Sequence, residues 1–395
     1  MSDFQIYQLA QSLQQIASQH RRHIHRNPEL AFQEVQTADY AAAELEKLGF
    51  DVRRGFGKTG LVASLTAQKS GPRFLLRFDM DALALQEQTG LDFASANAGK
   101  MHACGHDGHV AIGLTVAKIL SELKHELRGS YHLLFQPAEE IGQGAAAMIA
   151  DGVLDFIRPD YALAVHLWAE EPVGWLGITS GPVMAGCKDL SINVIGVGGH
   201  GGRPQKAEDP ILASAHLITS LQSVVSRKLD PLDSGVYSIT QIHAGSNNNV
   251  IPDRVFMTGK PRFFSSEAED VIISSTNRIC EGVSKAFGCK VEIEFGTTIP
   301  PTVNNAAVCQ AAELAAKKIN PKFEIEKQFK LMGSEDMSLF LKLIPGAIFF
   351  VGAGKDDPEK RFPLHHPCMD INESGLINAA ALLVETCQQL ATSAE

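Results

Sequence analysis

Within nine residues the chain places one cysteine, three histidines and an aspartate, separated only by small residues: Met101-His102-Ala103-Cys104-Gly105-His106-Asp107-Gly108-His109. Thiolate and imidazole at this density are donors that borderline divalent cations accept. Cys104 and His106 alone are too few to hold an ion, so the rest of the chain must bring more. Glu139-Glu140, His166 and the pair His365-His366 each follow an apolar run that reads as a strand. The ends of strands are where open α/β sheets place their sites. Cys104, His106, Glu140, His166 and one of the two late histidines exceed what one tetrahedral ion takes. They suit two divalent ions sharing a bridge, with a deprotonated Cys104 or a water able to fill that role. Glu139 is then left to act as general base. Asp81, just past a strand in Asp79-Met80-Asp81, is placed to orient a ligand histidine. This chemistry is metal-assisted hydrolysis of an amide.

The elements that must position these groups can be read from periodicity. Residues 3–48 carry Leu9, Leu13, Ile16 and Ala17, then Ala38, Ala41, Ala42, Leu45 and Leu48, at helical spacing. Proline breaks the pattern at His25-Arg26-Asn27-Pro28-Glu29-Leu30. His20, His23 and His25 read as a polar helix end. Leu61–Leu65 and Phe74–Phe78 read as strands, and the second runs into Asp79. An apolar helix follows the nonapeptide to Leu123, so Cys104 is expected beside a helix N-terminus, whose dipole favours thiolate. Tyr131–Gln136 is a strand before Pro137-Ala138-Glu139-Glu140, and Tyr161–Val165 is a strand ending in His166.

Near Gly186 the character changes. Strands at Leu190–Ile195, Val236–Ile242, Arg254–Thr258 and Lys290–Phe295 alternate with helices over Pro210–Val225 and Glu269–Phe287. The order strand, helix, two strands, helix, strand describes an inserted α+β sandwich of ferredoxin-like type. It carries His200 among glycines, Asn249 and Arg262. A histidine N–H can stabilise an oxyanion, and an arginine can grip a carboxylate at two points. After Pro300-Pro301 the α/β character resumes: a helix over Asn305–Ile319, an inner strand at Phe349–Gly352 and a closing helix over Glu373–Ala391. The expected fold class is therefore α/β with two domains. Residues 1–185 and 297–395 form a mixed-sheet catalytic domain, and 186–296 form the insert.

Bulk properties narrow the function classes. A chain of 395 residues exceeds one usual core, and 45% hydrophobic residues support a packed interior. A formal net charge of −10 argues against nucleic acid or an anionic membrane as partner. Seven cysteines without paired spacing fit a reducing compartment, and no leader or membrane-length apolar run stands out. These features predict a soluble cytoplasmic protein acting on small molecules. A thiol hydrolase using Cys104 with His106 as base is a weaker alternative. Residues i and i+2 rarely meet in that geometry, and Glu139, Glu140 and His166 would be left idle. A non-catalytic metal-binding protein would lack a base such as Glu139.

The motifs together resemble the metallo-aminoacylase and glutamate-carboxypeptidase family, in the branch of hippurate hydrolases and auxin-conjugate amidohydrolases. The resemblance rests on His25 to Leu30, Asp79-Met80-Asp81-Ala82-Leu83, Met101 to His109, Gln136-Pro137-Ala138-Glu139-Glu140, Gly199-His200, Asn249-Val250-Ile251-Pro252 and Leu364-His365-His366-Pro367, in that family's order. It implies a di-metal catalytic domain with an inserted lid that often dimerises; the mixed S, N and O donors would accept Zn, Mn, Co or Ni. It implies Cys104, His106, Glu140, His166 and His365 as ligands and Glu139 as base. It chooses His365 over His366 by its place after Leu364 and two before Pro367. It further implies that His200 and Asn249 meet the substrate, sometimes across a homodimer, and that the substrate is an N-acyl amino acid. A dipeptidase of the same family is the runner-up. Ala84 stands where that branch generally has proline, and Gly202-Arg203-Pro204-Gln205 departs from the usual segment after the lid histidine, which bears on specificity.

Overall fold

The computed structural model describes residues 5–393. The first part of the chain runs through helices α1 (Gln5–Ser12), α2 (Gln14–Arg26) and α3 (Val35–Lys47), then strands β1 (Asp51–Phe56), β2 (Gly60–Thr66) and β3 (Lys69–Asp79). Helix α4 (His106–Leu123), β4 (Arg128–Gln136), α5 (Gly144–Ala150), α6 (Val153–Ile157), β5 (Tyr161–Pro172), β6 (Trp175–Gly177) and β7 (Gly181–Met184) follow. Next come β8 (Gly186–Ile195), β9 (Gly199–His200), α7 (Pro210–Arg227), β10 (Gly235–Ala244), β11 (Val250–Ile251), β12 (Arg254–Phe263), α8 (Ser266–Phe287) and β13 (Lys290–Ile299). The chain ends with β14 (Thr302–Asn304), α9 (Ala306–Ile319), β15 (Glu324–Glu326), α10 (Met337–Leu341), β16 (Gly346–Gly354) and α11 (Ser374–Ser393).

Two compact units result. One holds 1–183, 303–329 and 336–395, and the other holds 184–302 and 330–335. The sequence reading put the boundaries at 185/186 and 296/297. It had no means of assigning the short piece 330–335, which is irregular and carries no periodic signal.

The first unit is built on an eight-stranded mixed sheet ordered β1-β2-β4-β3-β5-β16-β6-β15. Its centre is parallel: β3 pairs with β4 and β5, and β5 with β16. Parallel strands covered on both faces should read as continuous apolar runs. The last six residues of β3 and all nine of β16 are buried accordingly. Helices α4 and α11 are buried along most of their length and join the same core. Strand β1 gives no alternating signal in the sequence because most of its residues are exposed at the sheet edge. Strand β5 continues to Pro172, so His166 lies inside it rather than at its end.

The second unit has the ferredoxin-like order strand, helix, two strands, helix, strand, with its antiparallel sheet ordered β10-β12-β8-β13. Its core is separate and includes Ile192, Val194, Leu217, Leu221, Met257 and Ile272. Asp209 caps α7 by accepting from the amides of Ile211 and Leu212, ahead of Pro210. Ser265 caps α8, and Gly288 ends it in the left-handed region at φ 69°. No helix among the described residues is long and apolar enough to cross a membrane.

His25 corrects its reading as part of a polar helix end. It is buried, with Nδ1 2.8 Å from Asp107 Oδ2 and Nε2 3.3 Å from Glu87 Oε1. Arg21, also buried, reaches the same Asp107 oxygen at 2.8 Å and Asp370 at 2.6 Å. Burial alone would lower the His25 pKa, but Asp107 and Glu87 lift it to about 9. A folded-state value above the unfolded 6.5 contributes stability below that pH and loses it as pH rises toward 9. The stability gap between the native chain and His25→Gln should therefore shrink by about 3 kcal/mol between pH 6 and pH 9.5. Urea midpoints at the two pH values measure it, and a constant gap would show that the His25 charge contributes nothing.

Candidate metal centre

The first unit brings its candidate ligands together, with His166 inside β5 and the others on the segments that follow β3, β4 and β16. One atom each from Cys104, His106 and His166 lie within 4.8 Å of one another, and so do atoms of Cys104, Glu140 and His365. Cys104 is common to both trios. Cys104 Sγ stands 3.6 Å from His166 Nε2, and His365 Nε2 is 3.6 Å from Glu140 Oε2. His106, Cys104 and His166 are buried, whereas the His365 side chain is 56% exposed.

Hydrogen bonds decide which nitrogens face inward. His106 Nδ1 lies 2.9 Å from the Asp81 carbonyl oxygen, an acceptor, so Nδ1 carries the proton and Nε2 the lone pair. His166 Nδ1 donates in the same way to the Leu167 carbonyl at 2.9 Å, leaving its Nε2 lone pair toward Cys104. Buried His106 Nε2 and Glu140 Oε1 have no hydrogen-bond partner, although buried polar atoms nearly always find one. Two inward lone pairs, a thiol and a carboxylate converging in this way form a donor set that fits a divalent cation.

Asp81 organises the centre. Its carboxylate accepts from the amides of Glu139 and Glu140, at 3.0 Å each. It thus orients both glutamates as well as His106. The turn that carries them is unusual: Ala138, buried, has φ 54°, a region that a non-glycine residue seldom adopts. Its amide is held at 2.9 Å by Glu34 Oε1, and Glu34 also accepts from Thr59 Oγ1 at 2.6 Å. His365 is a second such residue, at φ 67°, anchored by its amide to the Ala103 carbonyl at 2.7 Å. Backbone held in this region needs support from its surroundings, and both residues flank the cluster.

The electrostatics correct one expectation. A helix N-terminus beside Cys104 was expected to favour thiolate. Instead burial, reinforced by the Glu140 charge, pushes the thiol well above its ordinary range. Burial likewise raises Glu140 to about 7, and burial together with the neighbouring His109 holds His166 well below its usual value. Cys104, Glu140 and His166 thus lean toward their neutral forms, whereas the neighbouring Asp79 and Cys104 outweigh burial and raise His106 well above its usual value.

The sequence reading noted Asp79 and His109 within their motifs but gave neither a role of its own, and Arg77 and Asp336 escaped it. Arg77 bonds the Asp79 carboxylate, reaches Gln136 Oε1 at 2.9 Å and meets Asp336 at 3.0 Å, all fully buried. Burial alone would raise Asp79, but Arg77 and the two histidines beside it bring it well below the carboxylate range. Spacing offered one available signal: His109 stands one helical turn beyond His106, on the same face.

In the second unit, His200 and Val250 pair across the short β9–β11 ladder, and the Gly201 amide donates to the Asn249 carbonyl at 2.8 Å. His200 and Asn249 are therefore neighbours, and both are exposed. The Gly202 amide donates to His200 Nδ1 at 3.0 Å, so a neutral His200 carries its proton on Nε2 as a donor. Arg262 Nη1 donates to the Met332 carbonyl at 2.7 Å, which commits part of the expected two-pronged grip to the segment 330–335.

A two-unit α/β chain with a buried cysteine shared by two donor trios and a glutamate beside them has the outline of a metallohydrolase. The family model described as Peptidase family M20/M25/M40 matches residues 75–389, and the chain belongs to that family. It is 38% identical over 365 residues to a hippurate hydrolase of Campylobacter jejuni, covering 91% of this chain and 93% of the relative. It is 36% identical over 375 residues to an N-acetyl-L-cysteine deacetylase of Bacillus subtilis, covering 95% and 88%. Among solved structures, the Bacillus subtilis YXEP protein, described as a dinuclear metal binding peptidase from the M20 family, superposes with a TM-score of 0.84 at 31% identity, covering 97% of this chain and 99% of that one.

Two outcomes are expected. Cys104→Ala should reduce the content of both bound cations, measured by elemental analysis after dialysis; loss of only one would contradict a shared role. At Gly144 an added Cβ would lie 1.6 Å from the Pro137 carbonyl oxygen, so the turn carrying Glu139 would have to move. Gly144→Ala should cost about 2–3 kcal/mol in urea unfolding, and an unchanged midpoint would show that the turn is not held as described.

Proposed function

We propose that this chain is a metal-dependent amidohydrolase that cleaves N-acyl or N-aroyl amino acids into a carboxylic acid and a free amino acid. The observation that carries the reading is the pair of donor trios meeting at Cys104, with Glu139 alongside. Membership of a family whose relatives include a hippurate hydrolase and an N-acetyl-L-cysteine deacetylase supports the substrate class. Cys104, His106 and His166 would hold one divalent cation, and Cys104, Glu140 and His365 the other, with zinc, manganese, cobalt or nickel all compatible with mixed S, N and O donors. Bound there, two such cations would polarise the amide carbonyl and make an attacking water more acidic.

Glu139 does the proton work. Its carboxylate lies 4.0 Å from His106 Nε2, largely shielded from solvent, and its amide is fixed by Asp81. It takes the proton of the attacking water and hands it to the departing amine nitrogen. His106 and His166 donate their Nδ1 protons to backbone carbonyls, and their Nε2 lone pairs would be committed to a cation, so neither would compete as a base. His200 and Asn249 belong to this reading as substrate contacts. The His200 Nε2–H is suited to the oxyanion, and Arg262 to the free carboxylate through the nitrogens that Met332 does not engage. Association into a homodimer through the second unit and a cytoplasmic location also belong to it.

The test is release of free amino acid from a panel running from acetyl through benzoyl and indoleacetyl to long acyl chains, with free dipeptides alongside. The enzyme is chelated and then restored with each cation. Release that depends on the cation and favours acyl amino acids over dipeptides is expected. Glu139→Gln should lower kcat at least about 10²-fold while cation content stays unchanged. Loss of cation in that variant would remove the base assignment, and preference for dipeptides would move the chain to the peptidase reading.

A further inference from the structure

Resting on the reading of Cys104, His106 and His166 as the ligands of one cation, we propose that His109 is a positioning residue. It sets where His166 stands by replacing the stretch of ladder missing between β3 and β5.

The ladder between these strands ends early. Their pairing runs from Phe74↔Tyr161 to Arg77↔Ala164, although β3 continues to Asp79 and β5 to Pro172. Beyond that point no ladder pair joins the two strands, and the His109 ring makes contact with both. A buried amide that loses its strand partner needs another acceptor. For Leu167, the residue after His166, that acceptor is His109 Nε2, at 3.0 Å. The other ring nitrogen, Nδ1, lies 2.5 Å from Asp79 Oδ1, on the last residue of β3. One imidazole thus joins the end of β3 to the middle of β5.

The tautomer follows from these contacts. Nε2 accepts from an amide, so Nδ1 carries the proton and donates to Asp79. Arg77 keeps Asp79 charged and in place, itself tied to Gln136 and Asp336. The chain of contacts runs from Arg77 through Asp79 and His109 to the backbone on which His166 is mounted. The His109 ring lies 5.3 Å from that of His106 at 28° between planes, and 4.8 Å from that of His166 at 75°. It therefore also limits how the two ligand rings can turn.

Both nitrogens of His109 are committed. The grouping of Asp79, His106 and His109 within 4.8 Å is for that reason an orienting cluster and not a third cation site. The second trio, Cys104, Glu140 and His365, has no contact of this kind with His109, so the two cations should respond differently to its loss.

The experiment titrates zinc, and separately cobalt(II), into the chelated full-length chain as native protein, His109→Ala and His109→Gln. A glutamine amide offers one donor and one acceptor, as the neutral ring does. The native chain should bind two equivalents. His109→Ala should keep one near native affinity and bind the other about 10–100-fold more weakly. His109→Gln should recover at least part of that loss. Urea unfolding of the same samples registers general destabilisation. Two equivalents at native affinity in His109→Ala would overturn the proposal. So would equal weakening of both, or failure of His109→Gln to recover any affinity while folding normally. A native chain that binds a single equivalent would instead overturn the two-cation reading beneath it.

Discussion

Gathering a thiol and several carboxylates in one buried place is unfavourable, and the first unit is arranged around that constraint. Asp79, Asp81, Glu139, Glu140 and Cys104 share the end of the parallel strands. Arg77 offsets Asp79 and Asp336, and backbone amides satisfy Asp81, Glu34 and part of Asp336. At the Cys104 thiol and the Glu140 carboxyl burial outweighs the support of His106, and both shift toward their neutral forms. The scaffold thus stabilises the charges that hold its frame, whereas those of the candidate ligands Cys104 and Glu140 would be stabilised by a cation bound there. Binding and ionisation would be coupled for that reason.

How far the sequence could reveal this depends on the range of each interaction. Cys104, His106, Glu140 and His166 were readable because each stands beside a local pattern: a small-residue loop, an apolar run, a proline turn. His365 was separated from His366 only by resemblance, and the reason for its geometry, a left-handed backbone anchored on Ala103, has no local sequence signal. Arg77 and Asp336 lie 259 positions apart and meet only once the sheet has formed. Arg77 sits within a strand of apolar residues, where a lone arginine gives no indication of its partner. His25 looked like one of three polar histidines on a helix end, and only tertiary packing shows that it faces Asp107.

The second unit tells a simpler story. Its strands and helices were visible in the sequence because the sheet buries one face, whereas the caps Asp209, Ser265 and Gly288 were recognised only in the structure. What stayed hidden was its last component. Segment 330–335 joins this unit through the Ala185 amide on the Leu331 carbonyl, Cys187 on Ser334 and Arg262 on Met332. All three contacts link residues far apart in sequence.

That segment changes what kind of insertion this is. The second unit is not a cassette bounded by two cuts, because the chain passes between the units at 183/184, 302/303, 329/330 and 335/336. Excising 184–302 would strand Leu331, Met332 and Ser334 without the partners that order them. A chimaera exchanging this unit between relatives would have to carry both pieces together. Any recombination that moved one alone would separate Arg262 from its anchor, so the two pieces are expected to be inherited as a pair even though more than two dozen residues of the other unit lie between them.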